Sequence, residues 1–140
     1  MQVALLDTNI ISALFRPNDQ IGAIYSAIIS RYALPAISFM TLAELLAWPK
    51  LNQWGNARET SLRTYLTDFV TLFPDEQTCE IRSSLKLLSR RSGRPISEQD
   101  AWIAATALRY QIPLLTRNHR DFNFIDELEL IPVDDPGTAN

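Results

Sequence analysis

Cysteine, glycine and histidine are scarce in this chain of 140 residues. A single cysteine, Cys79, excludes an intramolecular disulfide framework and a C-x-x-C zinc site. The four glycines stand far apart, so neither a dinucleotide-binding fingerprint nor a phosphate-binding P-loop can be assembled. No apolar run reaches roughly 18 residues, and no basic segment followed by a long apolar stretch opens the chain. These absences predict a cytoplasmic protein without a membrane span, a nucleotide cofactor or a thiolate metal site.

Hydrophobic residues make up 46% of the sequence, which is enough to build one core in a chain of this length. We therefore expect residues 1–133 to form a single domain. The last residues, 134–140, are mostly polar or small and include Pro136 and Gly137, so we expect a disordered tail there.

Short apolar runs alternate with amphipathic patterns along the chain. Strands are predicted at residues 3–6, 34–38, 71–73, 113–116 and 129–131. Helices are predicted between the strands, with Pro49 ending the helix that begins at Met40. Strands that are apolar on both faces and separated by helices predict an α/β fold, in which helices cover a parallel sheet on both sides.

Four carboxylates lie where these predicted strands give way to helices. Asp7 stands in L-L-D-T-N, Glu44 in T-L-A-E-L, Asp100 in S-E-Q-D-A-W, and Asp121 follows the apolar run P-L-L-T. In a parallel sheet such positions meet at one edge. Two carboxylates about 4 Å apart repel by roughly 4 kcal/mol, and a divalent cation removes that repulsion. An oxygen-only ligand set favours Mg²⁺ or Mn²⁺ over zinc.

Helix capping is an alternative interpretation of the same acids. Thr41-x-x-Glu44 and Ser97-x-x-Asp100 both match the capping box, and Asp7 suits an N-cap. Capping and metal binding are compatible, because the same helix starts that accept caps also converge on the expected site.

The motifs L-L-D-T-N-I-I-S-A-L, T-L-A-E-L, S-E-Q-D-A-W-I-A-A-T-A and L-L-T-R-N-H-R-D-F resemble, in this order, those of PIN-domain ribonucleases. The resemblance is specifically to the VapC toxins of bacterial toxin-antitoxin pairs, and it spans roughly Val3 to Pro132. It implies a three-layer sandwich with a central parallel sheet of five strands.

The resemblance also assigns roles to individual residues. It matches the family's acidic quartet to Asp7, Glu44, Asp100 and Asp121, and the polar residues of its T-x-N motif to Thr116 and Asn118. The fourth metal contact then comes either from Asp121 directly or from Asn118 with Asp121 behind it. Thr8, Asn9, Thr116 and Asn118 are expected to hold the carboxylates or a ligated water in place. For Thr8 and Asn9, capping of the first helical turn is an equal alternative.

The function implied by the resemblance is Mg²⁺-dependent cleavage of structured RNA, such as a transfer RNA or a ribosomal RNA loop, with Mn²⁺ able to substitute. Such a toxin inhibits translation until a VapB-like antitoxin neutralises it, and it is expected to form a homodimer. A catalytically silent PIN-like module that binds a partner is the alternative. A phosphatase of the aspartyl-phosphate type is disfavoured, because Asn9 stands at the third position of the D-x-D that it requires.

Basic residues are unevenly distributed in a chain whose net charge is −3. Arg82, Lys86 and Arg90 follow one another at i, i+4 spacing, and no acid occurs between Arg82 and Arg94. Such a stripe is either a solvated helix face or a phosphate-binding surface. If the site is a nuclease, the expected RNA contacts are Arg82, Lys86, Arg90, Arg94, Arg117 and Arg120.

Overall fold

Parallel strands form the centre of the fold, and helices cover both faces of the sheet. The computed structural model describes residues 2–15 and 20–133. The tail predicted to be disordered, residues 134–140, lies outside the described residues. In chain order the elements are β1 (Val3–Leu6), α1 (Thr8–Phe15), α2 (Gln20–Ile29), β2 (Leu34–Ser38), α3 (Phe39–Leu51), α4 (Asn56–Leu66), β3 (Val70–Leu72), α5 (Glu76–Ser92), α6 (Glu98–Tyr110), β4 (Leu114–Leu115) and α7 (His119–Phe122).

The four strands lie in the order β3-β2-β1-β4, and every neighbouring pair is parallel. β1 is central, with Leu5 opposite Ala36 of β2 on one side and Leu114 of β4 on the other. Since all strands run in one direction, their carboxyl ends lie at the same edge of the sheet.

The expectation of five strands is wrong by one within the described residues. The predicted fifth strand is reduced to a single parallel bridge between Leu130 and Leu114. The Leu114 N–H donates to the Glu129 carbonyl and the Ile131 N–H donates to the Leu114 carbonyl, both at 2.9 Å. β4 contains only two residues, so an edge strand beside it has little backbone with which to pair.

Alternation along the strands divides the core into two apolar layers. Leu5 and Leu114 pack with α5, α6 and the segment after β4, whereas Leu6 and Leu115 pack with α1, α2 and α3. Side chains of a strand point to opposite faces in turn, so each strand contributes to both layers. The three-layer α/β sandwich expected from the sequence is thereby confirmed.

One local feature differs from the sequence-based expectations. Pro49 does not end α3, which continues to Leu51 with Pro49 buried in its last turn. Asp121 lies in the one-turn helix α7. None of the helices in residues 2–15 and 20–133 is long and apolar enough to cross a membrane.

Candidate metal centre

The carboxyl edge of the sheet carries all four predicted acids. Asp7 follows β1 directly, Glu44 lies in the second turn of α3 after β2, and Asp121 lies in α7 after β4. Asp100 comes from the first turn of α6. Because β2, β1 and β4 are adjacent, these elements deliver their acids to one region although the residues are far apart in sequence.

Three of the acids line one open polar crevice with a volume of about 360 Å³. Asp7, Glu44 and Asp100 contribute to its wall, together with Thr8, Asn9, Ser12, Ser97, Gln99 and Asn118. Asp121 is exposed beside the crevice, and its charge still raises the pKa of Asp7 and of Asp100. Sequence reasoning missed Ser12 and Gln99 as lining residues. The available signals were the position of Ser12 one helical turn after Thr8 and that of Gln99 next to Asp100.

Asp7 is the most deeply buried of the four acids, with 4% of its surface exposed. The Thr8 N–H donates to its Oδ1 and the Thr116 hydroxyl donates to its Oδ2, both at 2.7 Å. Burial raises the pKa of Asp7, the two hydrogen bonds lower it, and the charges of Glu44 and Asp121 raise it further, with burial the largest effect. A buried carboxylate that accepts two hydrogen bonds is fixed in orientation but still lacks a compensating positive charge.

Glu44 is half-buried and lies at the end of a chain of hydroxyl groups. The Thr8 Oγ1 lies 3.0 Å from the Thr41 Oγ1 and 3.4 Å from the Glu44 Oε1. Burial raises the pKa of Glu44, and the charge of Asp100 raises it further. The predicted capping box that begins at Thr41 is wrong, because Ser38 is the N-cap and accepts from the Thr41 N–H at 3.2 Å. Glu44 thus stands beyond the first turn of α3 and faces the crevice.

Asp100 lies in the first turn of α6 and also lines the crevice. Ser97 is the N-cap of α6, and its Oγ accepts from the Asp100 N–H at 3.0 Å, so this predicted cap is confirmed. Burial, followed by the charges of Asp7 and Asp121, raises the pKa of Asp100 to about 6. The N-cap bond uses the backbone N–H of Asp100, and its carboxylate, whose pKa a side-chain hydrogen bond with Ser97 lowers in part, lines the crevice.

The remaining polar residues of the predicted site form hydrogen bonds with the segment between β4 and α7. The Thr116 Oγ1 accepts from the Asn118 N–H at 3.0 Å, while its own proton goes to Asp7. The Asn9 Oδ1 accepts from the Arg117 N–H at 3.3 Å. Thr8, Asn9 and Thr116 therefore link α1, β1 and the Asp121 segment into one polar network.

The carboxylates do not stand as a preassembled cage. In the described ranges, no three side chains of His, Cys, Asp or Glu are close enough together to bind one ion as they stand. The pKa values of Asp7, Glu44 and Asp100 are nevertheless all raised, in part by one another's charges or that of Asp121. Uncompensated carboxylates of this kind fit a divalent cation with oxygen ligands, which would draw their side chains together.

The predicted RNA-binding residues fall into two groups. On α5, Arg82 and Lys86 both pair with Glu98, whose Oε2 lies 3.7 Å from the Lys86 Nζ, whereas Arg90 is exposed. Arg117 and Arg120 lie beside Asp121, and Arg94 reaches across to the same segment. Cationic side chains therefore lie both on α5 and around α7.

Comparison with known proteins places this architecture in a family. The PIN domain family model matches residues 4–128. Ribonuclease VapC1 of Haemophilus influenzae strain R2866 is 32% identical over 129 residues, which cover 91% of this chain and 95% of the relative.

Solved structures agree with the sequence relatives. VapBC-1 from nontypeable Haemophilus influenzae superposes with a TM-score of 0.83 at 28% identity, covering 93% of this chain and 97% of that one. VapBC-5 from Mycobacterium tuberculosis, a member of the VapBC family of toxin-antitoxin systems, gives 0.72 at 26% identity, covering 95% and 100%. The chain therefore belongs to the PIN-domain family, among the VapC ribonucleases.

Proposed function

We propose that this protein is a metal-dependent endoribonuclease toxin that hydrolyses phosphodiester bonds in structured RNA and so inhibits translation. The observation that carries the proposal is the convergence of Asp7, Glu44 and Asp100 on one polar crevice, with Asp121 beside it. The relatives named as VapC ribonucleases support the same activity.

Mg²⁺ is the proposed cofactor, with Mn²⁺ as a substitute. Among the described residues that line it, the crevice offers carboxylate, hydroxyl and amide oxygens and no thiolate or imidazole, which is the donor set that these hard cations prefer. Asp7, Asp100 and Asp121 would hold the metal, with Glu44 in contact directly or through water. When bound, the ion lowers the pKa of a coordinated water and stabilises negative charge on the leaving oxygen.

The protein's own residues have positioning roles in this scheme. Thr116 and the Thr8 N–H fix both oxygens of Asp7, so that the most buried carboxylate has one orientation. The Thr8 hydroxyl reaches Glu44, and Ser97 fixes the backbone of Asp100. Positioning of this kind reduces the reorganisation required when substrate binds.

RNA is the proposed substrate because cationic side chains lie on α5 and around α7, outside an acidic crevice. Arg90 of α5, with Arg117 and Arg120 near α7, are the proposed phosphate contacts, and Arg82 and Lys86 join them when released from Glu98. Phosphate contacts of this type supply affinity and position the strand without reading its sequence.

A VapB-like antitoxin is the proposed inhibitor, and the active toxin is proposed to be a cytoplasmic homodimer. The solved VapBC relatives support the antitoxin as a partner. In this arrangement the antitoxin blocks RNA cleavage until it is removed.

The test is cleavage of total RNA by the purified chain in a titration of Mg²⁺ and Mn²⁺, followed by sequencing of the new RNA ends. We expect cleavage that requires metal, stops with a chelator and is lost in Asp7→Asn. Metal-independent cleavage or full activity in Asp7→Asn would contradict the proposed site. Absence of cleavage at every metal concentration would instead support the silent partner-binding module.

A further inference from the structure

Arg94 makes contacts that a free phosphate-binding arginine would not make. Its Nη2 donates to the Arg120 carbonyl at 2.7 Å and to the Asn123 Oδ1 at 3.1 Å. The guanidinium also lies over the ring of Phe124, 5.5 Å from its centre. The side chain therefore bridges the turn before α6 to the C-terminal end of α7.

The backbone of Arg94 is held as firmly as its side chain. Gly93 ends α5 in the left-handed conformation, with φ 65°, which few other residues adopt without strain. The Arg94 N–H then donates to the Ser89 carbonyl at 3.2 Å, and the Ser89 hydroxyl donates back to the Arg94 carbonyl. Arg94 thus projects from a fixed turn.

The element that Arg94 contacts is short. α7 is a single turn of four residues; the buried Phe122 side chain anchors it in the core, and two of its carbonyls accept from backbone N–H groups that follow, while the Arg120 carbonyl accepts from Arg94. A cation at that end satisfies the Arg120 carbonyl and is favoured by the helix dipole. α7 also carries Asp121, whose charge acts unfavourably on Asp7 and Asp100. Like-charge repulsion acts to separate α7 from the other acids, and the Arg94 contacts oppose that separation.

We infer that Arg94 is a positioning residue that holds α7, and with it Asp121, against the acidic crevice. The inference rests on the proposed function and replaces the expected role of Arg94 as a contact for RNA phosphate. In this role the geometry of the guanidinium matters more than its charge, because one nitrogen must reach two acceptors at the C-terminal end of α7 while the group lies over the ring of Phe124.

The test compares Arg94→Lys and Asn123→Ala with the wild type and with Arg31→Gln, a charge control on an exposed residue outside the site. Mn²⁺ binding to the RNA-free protein is measured by calorimetry, and exchange of the α7 amide protons is measured by NMR. Arg94→Lys should weaken Mn²⁺ binding about tenfold and speed exchange at Asp121 and Asn123. Asn123→Ala, which keeps the arginine, should change both quantities in the same direction by less, and Arg31→Gln should change neither.

Kinetics separate positioning from phosphate binding. At limiting Mn²⁺, Arg94→Lys should lower kcat about tenfold, leave the KM for RNA within about twofold, and recover with excess Mn²⁺. An arginine that contacts phosphate would show the opposite pattern, with KM changed, kcat unchanged and lysine an adequate replacement.

Three outcomes would overturn the inference: wild-type Mn²⁺ affinity in Arg94→Lys, an effect confined to KM and salt dependence, or unchanged Mn²⁺ binding and α7 exchange in Asn123→Ala. If Arg94→Lys fails to fold, Asn123→Ala decides the question alone. A wild type that neither binds Mn²⁺ nor cleaves RNA would refute the proposed function itself, whereas a cleaving wild type with unaffected variants would refute only the role of Arg94.

Discussion

Asp100→Asn should abolish RNA cleavage and at the same time make the metal-free protein more stable at neutral pH. Partial burial of the Asp100 carboxylate, followed by the charges of Asp7 and Asp121, raises its pKa to about 6. Asparagine has nearly the same shape and keeps the Ser97 cap, because that bond uses the backbone N–H of residue 100. The substitution removes a proposed metal ligand and a repulsive charge in one step.

The sign of the pH dependence follows from the raised pKa. Between about pH 4 and pH 6 the folded wild type binds more protons than the unfolded chain, so its stability falls as pH rises through that window. The amide introduced by Asp100→Asn does not titrate, so this fall in stability does not occur in the variant. The stability difference between the variant and the wild type should therefore be small below pH 4 and largest above pH 6.

The raised pKa of Asp100 also gives the size of the expected gain in stability. A rise of about two pKa units corresponds to roughly 3 kcal/mol, which partial exposure of Asp100 to water reduces to about 1–2 kcal/mol. The variant also loses the interaction of a carboxylate with the first turn of α6, worth about 0.3–1 kcal/mol. A net gain of about 1 kcal/mol remains, which raises Tm by about 4 °C in a chain of this length.

The assay is thermal unfolding of both proteins at pH 4 and pH 7.5, with and without Mg²⁺, beside Mn²⁺-dependent cleavage of RNA. Asp68→Asn, an exposed acid outside the crevice, is the matched control and should behave as the wild type. Bound Mg²⁺ should stabilise the wild type and reduce the advantage of Asp100→Asn. Either of two results would contradict this prediction: cleavage retained in Asp100→Asn, or a variant that is less stable than the wild type at pH 7.5 without metal.

Two further substitutions test the polar network and the basic surface. Thr116→Val removes the hydroxyl that donates to Asp7; we expect a loss of about 1–3 kcal/mol in stability, weaker Mn²⁺ binding, and an acid limb of the pH–rate profile displaced to higher pH. An unchanged profile would show that Asp7 does not depend on this bond. Glu98→Gln releases Arg82 and Lys86 from their exposed acid partner; RNA binding measured by anisotropy without divalent metal should tighten, and its log–log salt slope should steepen by up to about 1.4. A slope equal to that of the wild type would exclude Arg82 and Lys86 as phosphate contacts.

Much of the fold could be predicted because its elements have strong local signals. The spacing of apolar residues predicts the helices that carry Ile24 and Leu85, and α6 has the Ser97 cap that its sequence indicates. The reduction of the predicted fifth strand to a single bridge had no local signal, since whether residues 129–131 form a ladder depends on the two residues that β4 offers as a partner.

For the candidate site, the sequence determined which residues have the chemistry. The local pattern places four acids, Asp7, Glu44, Asp100 and Asp121, at or near the junctions between strands and helices, and carboxylate oxygens are the donors that a hard divalent cation prefers. The charge state and orientation of those acids cannot be predicted from the neighbouring sequence. They depend on burial and on neighbours remote in sequence, such as Thr116 for Asp7.

The contacts that each arginine makes depend on the tertiary structure. In sequence Arg82, Arg90 and Arg94 look equivalent, as cations on one basic stretch. In the fold Arg82 is paired with Glu98, Arg90 is exposed, and Arg94 is bonded to α7. The reason is physical: the sequence sets which charges and elements exist, whereas the free energy of a charge depends on the groups within a few ångströms of it, and packing alone sets those distances.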